Sequence, residues 1–198
     1  MIQPITTMNP NILELALKHV RENSRSQLSF ENNCIGDVAA TKLAEALKEN
    51  CTVTHLDLSY NEIGDAGVAS LVEVLIGNNT LTQLDLRRNL IGDQGAGQLA
   101  KVLKGVGPLK RLDLTWNNIG PPGAFTLATA MMANSTLTQL DLRRNHIGDT
   151  GAIEMARCLK DNSALLQLDL TWNGIGFPGA FELANALIRN TTLTQLDL

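Results

Sequence analysis

The sequence predicts an α/β solenoid in which one short strand and one helix are repeated along the chain and stacked in register. The first observation is a fixed period of 28 residues, at which Leu-Asp-Leu recurs without insertion or deletion; the copies begin at Leu56, Leu84, Leu112, Leu140, Leu168 and Leu196. The second observation is that an Asn, then Ile-Gly, then an apolar helical segment follows each complete copy. A unit of this length cannot bury a core alone, so the units must stack.

The strand of each unit is predicted at Leu-Asp-Leu. Side chains alternate across a strand, so both leucines face the core and the Asp faces the opposite side of a parallel sheet. In the first unit Leu28-Ser29-Phe30 stands in place of this tripeptide. Residues 28–198 are therefore expected to be repeats of 28 residues, with a weakened first strand.

The helix of each unit follows Ile-Gly. An Asp is expected to cap the helix of its own unit at Asp37, Asp65, Asp93 and Asp149. Pro121-Pro122 and Phe177-Pro178 replace this Asp in two units, where Pro is expected to start the helix. The helices are expected to end near an Asn that tolerates left-handed backbone geometry, at Asn50, Asn78, Asn134, Asn162 and Asn190, a set that Val106 breaks.

The repeat unit, as in Leu84-Asp85-Leu86-Arg87-Arg88-Asn89-Leu90-Ile91-Gly92, resembles leucine-rich repeats of the ribonuclease-inhibitor-like class. The same class forms the C-terminal arrays of NOD-like receptors and occurs in some bacterial effectors. The resemblance implies a right-handed, horseshoe-shaped solenoid with a concave parallel β-sheet and convex α-helices. It also implies a structural ladder of asparagines that hydrogen-bond turn backbone: Asn61, Asn89, Asn117, Asn145 and Asn173. For function it implies only a protein-binding surface, because unrelated activities use this scaffold.

The two ends of the chain depart from the regular pattern. Residues 1–27 are expected to form an N-terminal capping half-repeat with a helix at about 10–22, since Asn9-Pro10 suits a helix start and Leu15-Ala16 keeps the register of the core-facing pair Leu43-Ala44. The chain stops inside a strand, without a C-terminal cap. We therefore expect either a fragment of a longer protein or an exposed strand edge that pairs with a second copy.

Composition and charge narrow the class of function. A net charge of −4 argues against a general binder of nucleic acid or of an anionic membrane. Cys34, Cys51 and Cys158 are too few for a disulfide framework and are expected to be reduced, mostly packed thiols. The chain shows neither a secretory signal nor a membrane-spanning apolar stretch. A cytoplasmic location is expected, in the protein's own cell or, for a delivered effector, in a host cell.

Motifs for catalysis are not found in the sequence. It contains no phosphate loop, no Gly-x-Ser-x-Gly and no His-Glu-x-x-His, and its three histidines fall in different units. A column of aspartates about 4.8 Å apart could attract a hard cation: Asp57, Asp85, Asp113, Asp141, Asp169 and Asp197. These side chains are expected to be parallel rather than convergent, forming a solvated acidic stripe partly neutralised by Arg87, Arg111 and Arg143. We therefore expect no enzymatic activity, no cofactor and no metal.

The concave face carries the candidate binding residues. Units reading Arg-Arg-Asn alternate with units reading Thr-Trp-Asn, so arginine and tryptophan alternate toward the rim of the sheet. The predicted partner-binding residues are Tyr60, Asp85, Arg87, Arg88, Arg111, Asp113, Trp116, Asp141, Arg143, Arg144 and Trp172. Trp, Tyr and Arg dominate interface hot spots. The alternative for the two tryptophans is that they pack on the stems of neighbouring arginines and only stiffen the sheet. Phe125 and Phe181 are assigned to packing between helices.

These features favour a non-catalytic protein–protein interaction module that binds a protein partner on its concave face. Mixed charge on that face favours a protein over a polyanion, so neither nucleic acid nor a membrane is expected as a partner. The alternative is a structural or assembly role, in which the uncapped array associates with itself edge to edge.

Overall fold

The computed structural model describes residues 10–105 and 107–198, where seven helices alternate with seven strands. The expectations for Asn9 and Val106 lie outside the described residues. The helices are α1 Pro10–Arg21, α2 Gly36–Leu47, α3 Asp65–Leu75, α4 Asp93–Lys104, α5 Pro121–Met131, α6 Gly148–Asp161 and α7 Phe177–Leu187. The strands are β1 Gln27–Ser29, β2 His55–Asp57, β3 Gln83–Asp85, β4 Arg111–Asp113, β5 Gln139–Asp141, β6 Gln167–Asp169 and β7 Gln195–Asp197. None of the described helices is both long enough and apolar enough to cross a membrane.

The strands form one parallel sheet in the order of the sequence. Each strand pairs with the next at the same position of the repeat, as Leu84 pairs with Leu112 and Asp85 with Asp113. Consecutive helices pack on one another along the other layer. The α/β solenoid predicted from the 28-residue period is therefore confirmed, and the period is also the register of the sheet.

The core lies between the sheet and the helices. In the third unit both leucines of the strand, Leu84 and Leu86, are fully buried, as are Ile91 after the turn and Leu99 on α4. Each such side chain contributes roughly 1.5–3 kcal/mol through its burial. The predicted inward leucines are confirmed, and each repeat adds one layer to a continuous core.

Asparagine side chains bind the backbone of the turns that follow the strands. The Nδ2 of Asn117 donates to the carbonyl oxygens of Leu86 and Leu114, both at 3.0 Å, and its Oδ1 accepts from the backbone N–H of Ile91 at 3.0 Å. One buried side chain thus satisfies backbone groups of two neighbouring repeats, which would otherwise be buried without a partner. Equivalent bonds to the preceding repeat are made by Asn61, Asn89, Asn145 and Asn173.

The helix-capping aspartates act on a different repeat from the one expected. The Oδ1 of Asp93 accepts hydrogen bonds from the backbone N–H groups of Gly120 and Gly123, at 2.7 and 2.9 Å, which begin the helix of the next repeat. Asp37, Asp65 and Asp149 do the same one repeat onward. The expectation of capping within the same unit was wrong, because Asp93 already lies inside the first turn of its own helix. A Cβ at Gly123 would lie 2.6 Å from the Asp93 carboxylate, which explains the second glycine of the motif.

The turn changes where this aspartate is missing. Pro121 replaces it in the unit before α6, and Gly148 there has φ +59° and donates its N–H to the carbonyl oxygen of Asn173. In the units that receive an aspartate, the corresponding glycine is extended, as at Gly120 with φ −98°. Helices α5 and α7 nevertheless begin at Pro121 and Phe177, with a proline at the first or second position, as predicted.

The asparagines at the helix ends act through their side chains. They were expected to adopt left-handed backbone geometry, but none of the five has a positive φ. Instead the Oδ1 of Asn134 accepts from the N–H groups of Thr136 and Leu137, and its Nδ2 donates to the carbonyl oxygen of Leu103 in the preceding repeat. A short polar side chain that bonds nearby backbone ends the helix here without a strained residue.

Some residues expected to be packed are exposed. Phe125 is 50% exposed and Phe181 52% exposed. Phe125 follows the buried Ala124 and Phe181 lies two positions after the buried Gly179, so both rings point to another side of their helix. Leu15 is exposed on α1, where Leu17 and Val20 supply the buried side. Cys158 is buried as expected, whereas Cys51 is exposed beyond the end of α2.

Removal of one inter-repeat cap should lower stability. Asp93→Ala leaves the N–H groups of Gly120 and Gly123 without their acceptor, so we expect the free energy of unfolding to fall by about 1–2 kcal/mol. Chemical denaturation followed by circular dichroism measures the change. The control is Gln94→Ala at the exposed neighbouring position, expected to change stability by less than about 0.5 kcal/mol. Equal denaturation midpoints for the two variants would contradict the capping role.

Candidate protein-binding face

The concave face of the sheet carries the predicted column of aspartates, one on each of the strands β2 to β7, whereas β1 has Ser29 at this position. Five of these six aspartates also hold the turn after their strand: the Oδ1 of Asp85 accepts from the N–H of Arg87 at 3.0 Å, and that of Asp113 accepts from the N–H of Thr115 at 3.0 Å. Asp57, Asp141 and Asp169 make the same bond to the residue two positions later. The aspartates therefore have a structural role in addition to any role in binding.

Charge on this face is only partly paired. Arg87 lies 3.0 Å from Asp85, and Arg143 lies 3.0 Å from Asp141 and 3.5 Å from Asp169. Arg111 was expected to neutralise the stripe but forms no ion pair within the described ranges, since it starts strand β4 at the opposite end from the turn. Asp113 is only 5% exposed, so the expectation of a fully solvated stripe was wrong at that position.

The pKa of the Asp85 carboxyl group is raised. This pKa is raised to about 6, chiefly by burial and also by the neighbouring carboxylates of Asp113 and Asp57, against the opposing effects of the Arg87 N–H and guanidinium. One ion pair therefore does not compensate for placing this carboxylate between two others in a half-buried column. No cluster of three or more His, Cys, Asp or Glu side chains in the described part of the chain is arranged to hold a metal ion.

The rim of the face carries a stack of five side chains, which we call the rim stack: Tyr60, Arg88, Trp116, Arg144 and Trp172. The guanidinium carbon of Arg88 lies 5.2 Å from the ring centroid of Tyr60 and 4.4 Å from that of Trp116. That of Arg144 lies 4.3 Å from the Trp116 centroid and 4.7 Å from the Trp172 centroid. Each arginine thus makes cation–π contacts with two aromatic rings. At exposed sites such a contact contributes roughly 0.5–1 kcal/mol.

The rim stack remains open to solvent although its members contact one another. Trp116 is 42% exposed and Trp172 72% exposed. Both rings contact arginines, as expected if the tryptophans only packed on their neighbours. A large part of each ring nevertheless remains exposed to solvent. Trp116, Arg144 and Trp172 also line a shallow depression of about 480 Å³ together with Asn118 and His146. Asn118 and His146 were not predicted from the sequence. The only sequence feature that could have indicated them is their position one repeat apart, two residues after a rim residue.

Every member of the rim stack has a left-handed backbone conformation. The φ angles of Tyr60, Arg88, Trp116, Arg144 and Trp172 lie between 50° and 60°. The N–H of Trp116 donates to the carbonyl oxygen of Arg143 in the next repeat at 2.9 Å, which holds this conformation in place. The first repeat has Asn32 at this position with φ 58°, a residue type that tolerates such geometry. Bulky residues in this region are uncommon and strained, so the rim positions are strongly constrained by their neighbours.

The structure brings together some of the predicted binding residues and separates others. The rim stack is contiguous, and Arg87 and Arg143 form a neighbouring column that joins it to the aspartates. Two larger depressions of about 580 and 510 Å³ lie on the sheet face, and Arg111 lines both of them. Among the described residues the buried hydroxyls of Ser59 and Thr115, in the same column as Arg87, have no hydrogen-bond partner.

The raised pKa of Asp85 should make stability depend on pH. Because this pKa lies above its value in the unfolded chain, the folded protein binds more protons between pH of about 4 and about 6, and stability falls as pH rises through that window. Asp85→Asn keeps an acceptor for the Arg87 N–H. We expect it to be more stable than the wild type by about 1 kcal/mol at pH 7, after allowance for solvent screening, and equally stable at pH 4.

Denaturation midpoints at four pH values from 4 to 7 measure this difference. The control is Asp161→Asn at the exposed end of α6, which changes the net charge equally. A constant difference between Asp85→Asn and the wild type across this range would disprove the assignment.

Comparisons with known proteins bear on the family. The sequence profile described as Leucine Rich repeat matches residues 49–72, 77–100, 108–128, 133–156 and 161–184, more than half of the chain. A search of curated protein sequences gives no match. Among solved structures, Leiomodin-1 Actin-Binding Site 2 (ABS2) is similar, with 25% identity and a TM-score of 0.55 over 92% of this chain and 91% of that one.

Two further solved structures resemble the chain in fold alone. The tropomodulin C-terminal domain of Caenorhabditis elegans is 17% identical, with a TM-score of 0.52 over 90% of this chain and 92% of that one. A plant ice-binding protein is 19% identical, with a TM-score of 0.58 over 96% of this chain and 59% of that one. The matched profile, the 28-residue register and the stacked strands and helices agree, and the chain belongs to the leucine-rich-repeat family.

Proposed function

We propose that this chain is a non-catalytic protein-interaction module that binds a protein partner on its concave face, with the rim stack at the centre of the contact. The observation that carries the proposal is the uninterrupted, solvent-exposed stack of aromatic and arginine side chains over five neighbouring repeats. These residue types combine large contact area with directional polar groups and dominate interface energetics. Their fixed arrangement reduces the conformational entropy lost on binding.

The comparisons support a protein as the ligand class. The leiomodin-1 structure, at 25% identity and with most of both chains covered, is that of an actin-binding site. We also assign the repeats to the ribonuclease-inhibitor-like class, on their 28-residue length and their Ile-Gly-x-x-Gly motif. The proposed compartment is the cytoplasm, where free thiols such as the exposed Cys51 persist.

Charge and thiol chemistry support a binding role rather than catalysis. In the described part of the chain Asp57 and Asp113 form no ion pair, and they share the face with Arg87 and Arg143, so the face is mixed in charge and suits a folded protein better than a polyanion. Burial raises the pKa of the Cys158 thiol to about 12, which keeps it protonated and unreactive. The proposed role therefore needs no cofactor and no metal.

Loss of the rim stack should abolish partner capture. We expect a protein retained by the immobilised wild type from eukaryotic or bacterial lysates to be lost with the triple variant Trp116→Asn, Arg144→Asn and Trp172→Asn. Asn is the replacement because Asn32 occupies the same left-handed position in the first repeat. Quantitative mass spectrometry of the captured proteins gives the readout.

The matched control changes exposed aromatic residues on the helix side. Phe125→Gln with Phe181→Gln removes two half-exposed rings from the convex surface and should leave capture unchanged. Capture that survives the rim variant but is lost with the convex variant would move the binding face to the helices. Light scattering over a range of concentrations tests the alternative of edge-to-edge self-association.

A further inference from the structure

We infer that the rim stack recognises a pair of carboxylates on an acidic segment of the partner, one bound by Arg88 and one by Arg144. The inference rests on the proposed function and specifies the chemistry of the partner. It follows from how the two arginines are held, from what they leave unpaired and from how far apart they lie.

The arginines of the rim stack are oriented but unpaired. In the described part of the chain neither Arg88 nor Arg144 makes an ion pair or a side-chain hydrogen bond, whereas Arg87 and Arg143 in the adjacent column are both paired with aspartates. Two aromatic rings contact each of the rim guanidinium groups, whose N–H donors form a planar fork. Such a fork matches a carboxylate with two parallel hydrogen bonds.

The spacing of the two arginines sets the spacing of the carboxylates. Both guanidinium carbons contact the Trp116 ring, at 4.4 and 4.3 Å from its centroid, so their separation cannot exceed the sum of these distances. This upper bound is slightly smaller than two strand spacings of roughly 9 to 10 Å between β3 and β5, so the two guanidinium groups lie on opposite sides of the Trp116 ring or closer together. In a polyproline II segment, side chains three residues apart lie on the same side about 9 Å apart. The pattern Asp-x-x-Asp in an extended segment therefore fits the pair of arginines.

The surrounding charge limits how acidic the ligand can be. Three carboxylates of the aspartate column form no ion pair in the described residues: Asp57, Asp113 and Asp197. Arg87 and Arg143 are already paired with other aspartates of the column. A polyanion with closely spaced charges would meet these carboxylates and be repelled. A partner segment that carries two separated carboxylates on one side would bring its negative charges only to the rim arginines and not to the aspartate column. The surface therefore favours an acidic protein segment over nucleic acid.

Intrinsic fluorescence provides a direct test with the intact chain. The protein has two tryptophans, and both belong to the rim stack, so a ligand that contacts this stack changes the signal. The probe is a blocked peptide with Asp-Pro-Pro-Asp between Gly-Ser flanks. Asn-Pro-Pro-Asn removes the charge, and Asp-Asp-Pro-Pro keeps the charge but alters the spacing. Arginine Nε–H signals in NMR spectra report the same titration, and inorganic phosphate is titrated separately.

Saturable binding of Asp-Pro-Pro-Asp is expected, at least tenfold tighter than that of either sister peptide. Arg88→Asn or Arg144→Asn should weaken it roughly tenfold or more, because a charge-assisted fork is lost. Arg88→Lys should also weaken it, since the ammonium keeps the charge without the fork. Arg189→Gln is the control: an exposed arginine just after α7, on the helix side and without an ion pair in the described residues, whose loss should leave binding unchanged.

Several outcomes would overturn the inference. They are equal binding of Asn-Pro-Pro-Asn, no binding of Asp-Pro-Pro-Asp, unchanged binding by both arginine variants, or saturable binding of phosphate but not of the peptide. Failure of the proposed function looks different. If capture of a protein is lost with variants of Trp116 and Trp172 but not with variants of Arg88 and Arg144, the face binds the protein without recognising a pair of carboxylates. If nothing is captured through this face, the proposed function itself fails.

Discussion

Backbone groups in the turns of this solenoid are buried, and side chains of the adjacent repeat supply their hydrogen bonds. Asn117 joins its own strand end to the preceding turn, and Asp93 caps the helix of the following repeat. An unpaired buried peptide group costs roughly 1–3 kcal/mol, so a shift of one repeat by a single residue would forfeit several such bonds at once. The one-to-one register of the sheet, and hence the order of side chains on its face, depends on this constraint.

The same register turns the alternation of Arg and Trp units into a continuous stack. Residues at one position of the repeat become neighbours on the sheet, so Arg88, Trp116 and Arg144 follow one another along the rim. A rim of arginines alone would place like charges about one strand spacing apart. The interleaved rings separate those charges, and each guanidinium group contacts two rings. The period of two repeats thus has a physical consequence, whatever its origin by duplication.

Left-handed geometry at the rim links the fold to the proposed binding face. The chain leaves strands β1 to β6 through a residue with positive φ. After β1 to β5 the N–H of this residue bonds to the next repeat, as Tyr60 bonds to the carbonyl oxygen of Arg87. Asn32 accepts this geometry easily, whereas Trp116 and Trp172 occupy it at a cost. Packing of the core does not explain large, solvent-exposed side chains at strained positions. A binding surface would require such side chains.

The repeat length, the strand positions, the inward leucines and the recurrent Asn of the turns could all be predicted from the sequence. They follow from local periodicity and from the alternation of side chains along a strand. Other features became visible only in the folded chain: Asp93 caps the next helix and not its own, Asn134 acts through its side chain, and Phe125 is exposed. The same holds for the rim arginines, which contact rings, while Arg87 and Arg143 pair with aspartates. The bonds of Asp93 and the contacts between rim arginines and rings join residues about 28 positions apart in stacked repeats. Asn134, Arg87 and Arg143 also make local bonds, but these depend on side-chain direction, which a one-dimensional pattern does not contain.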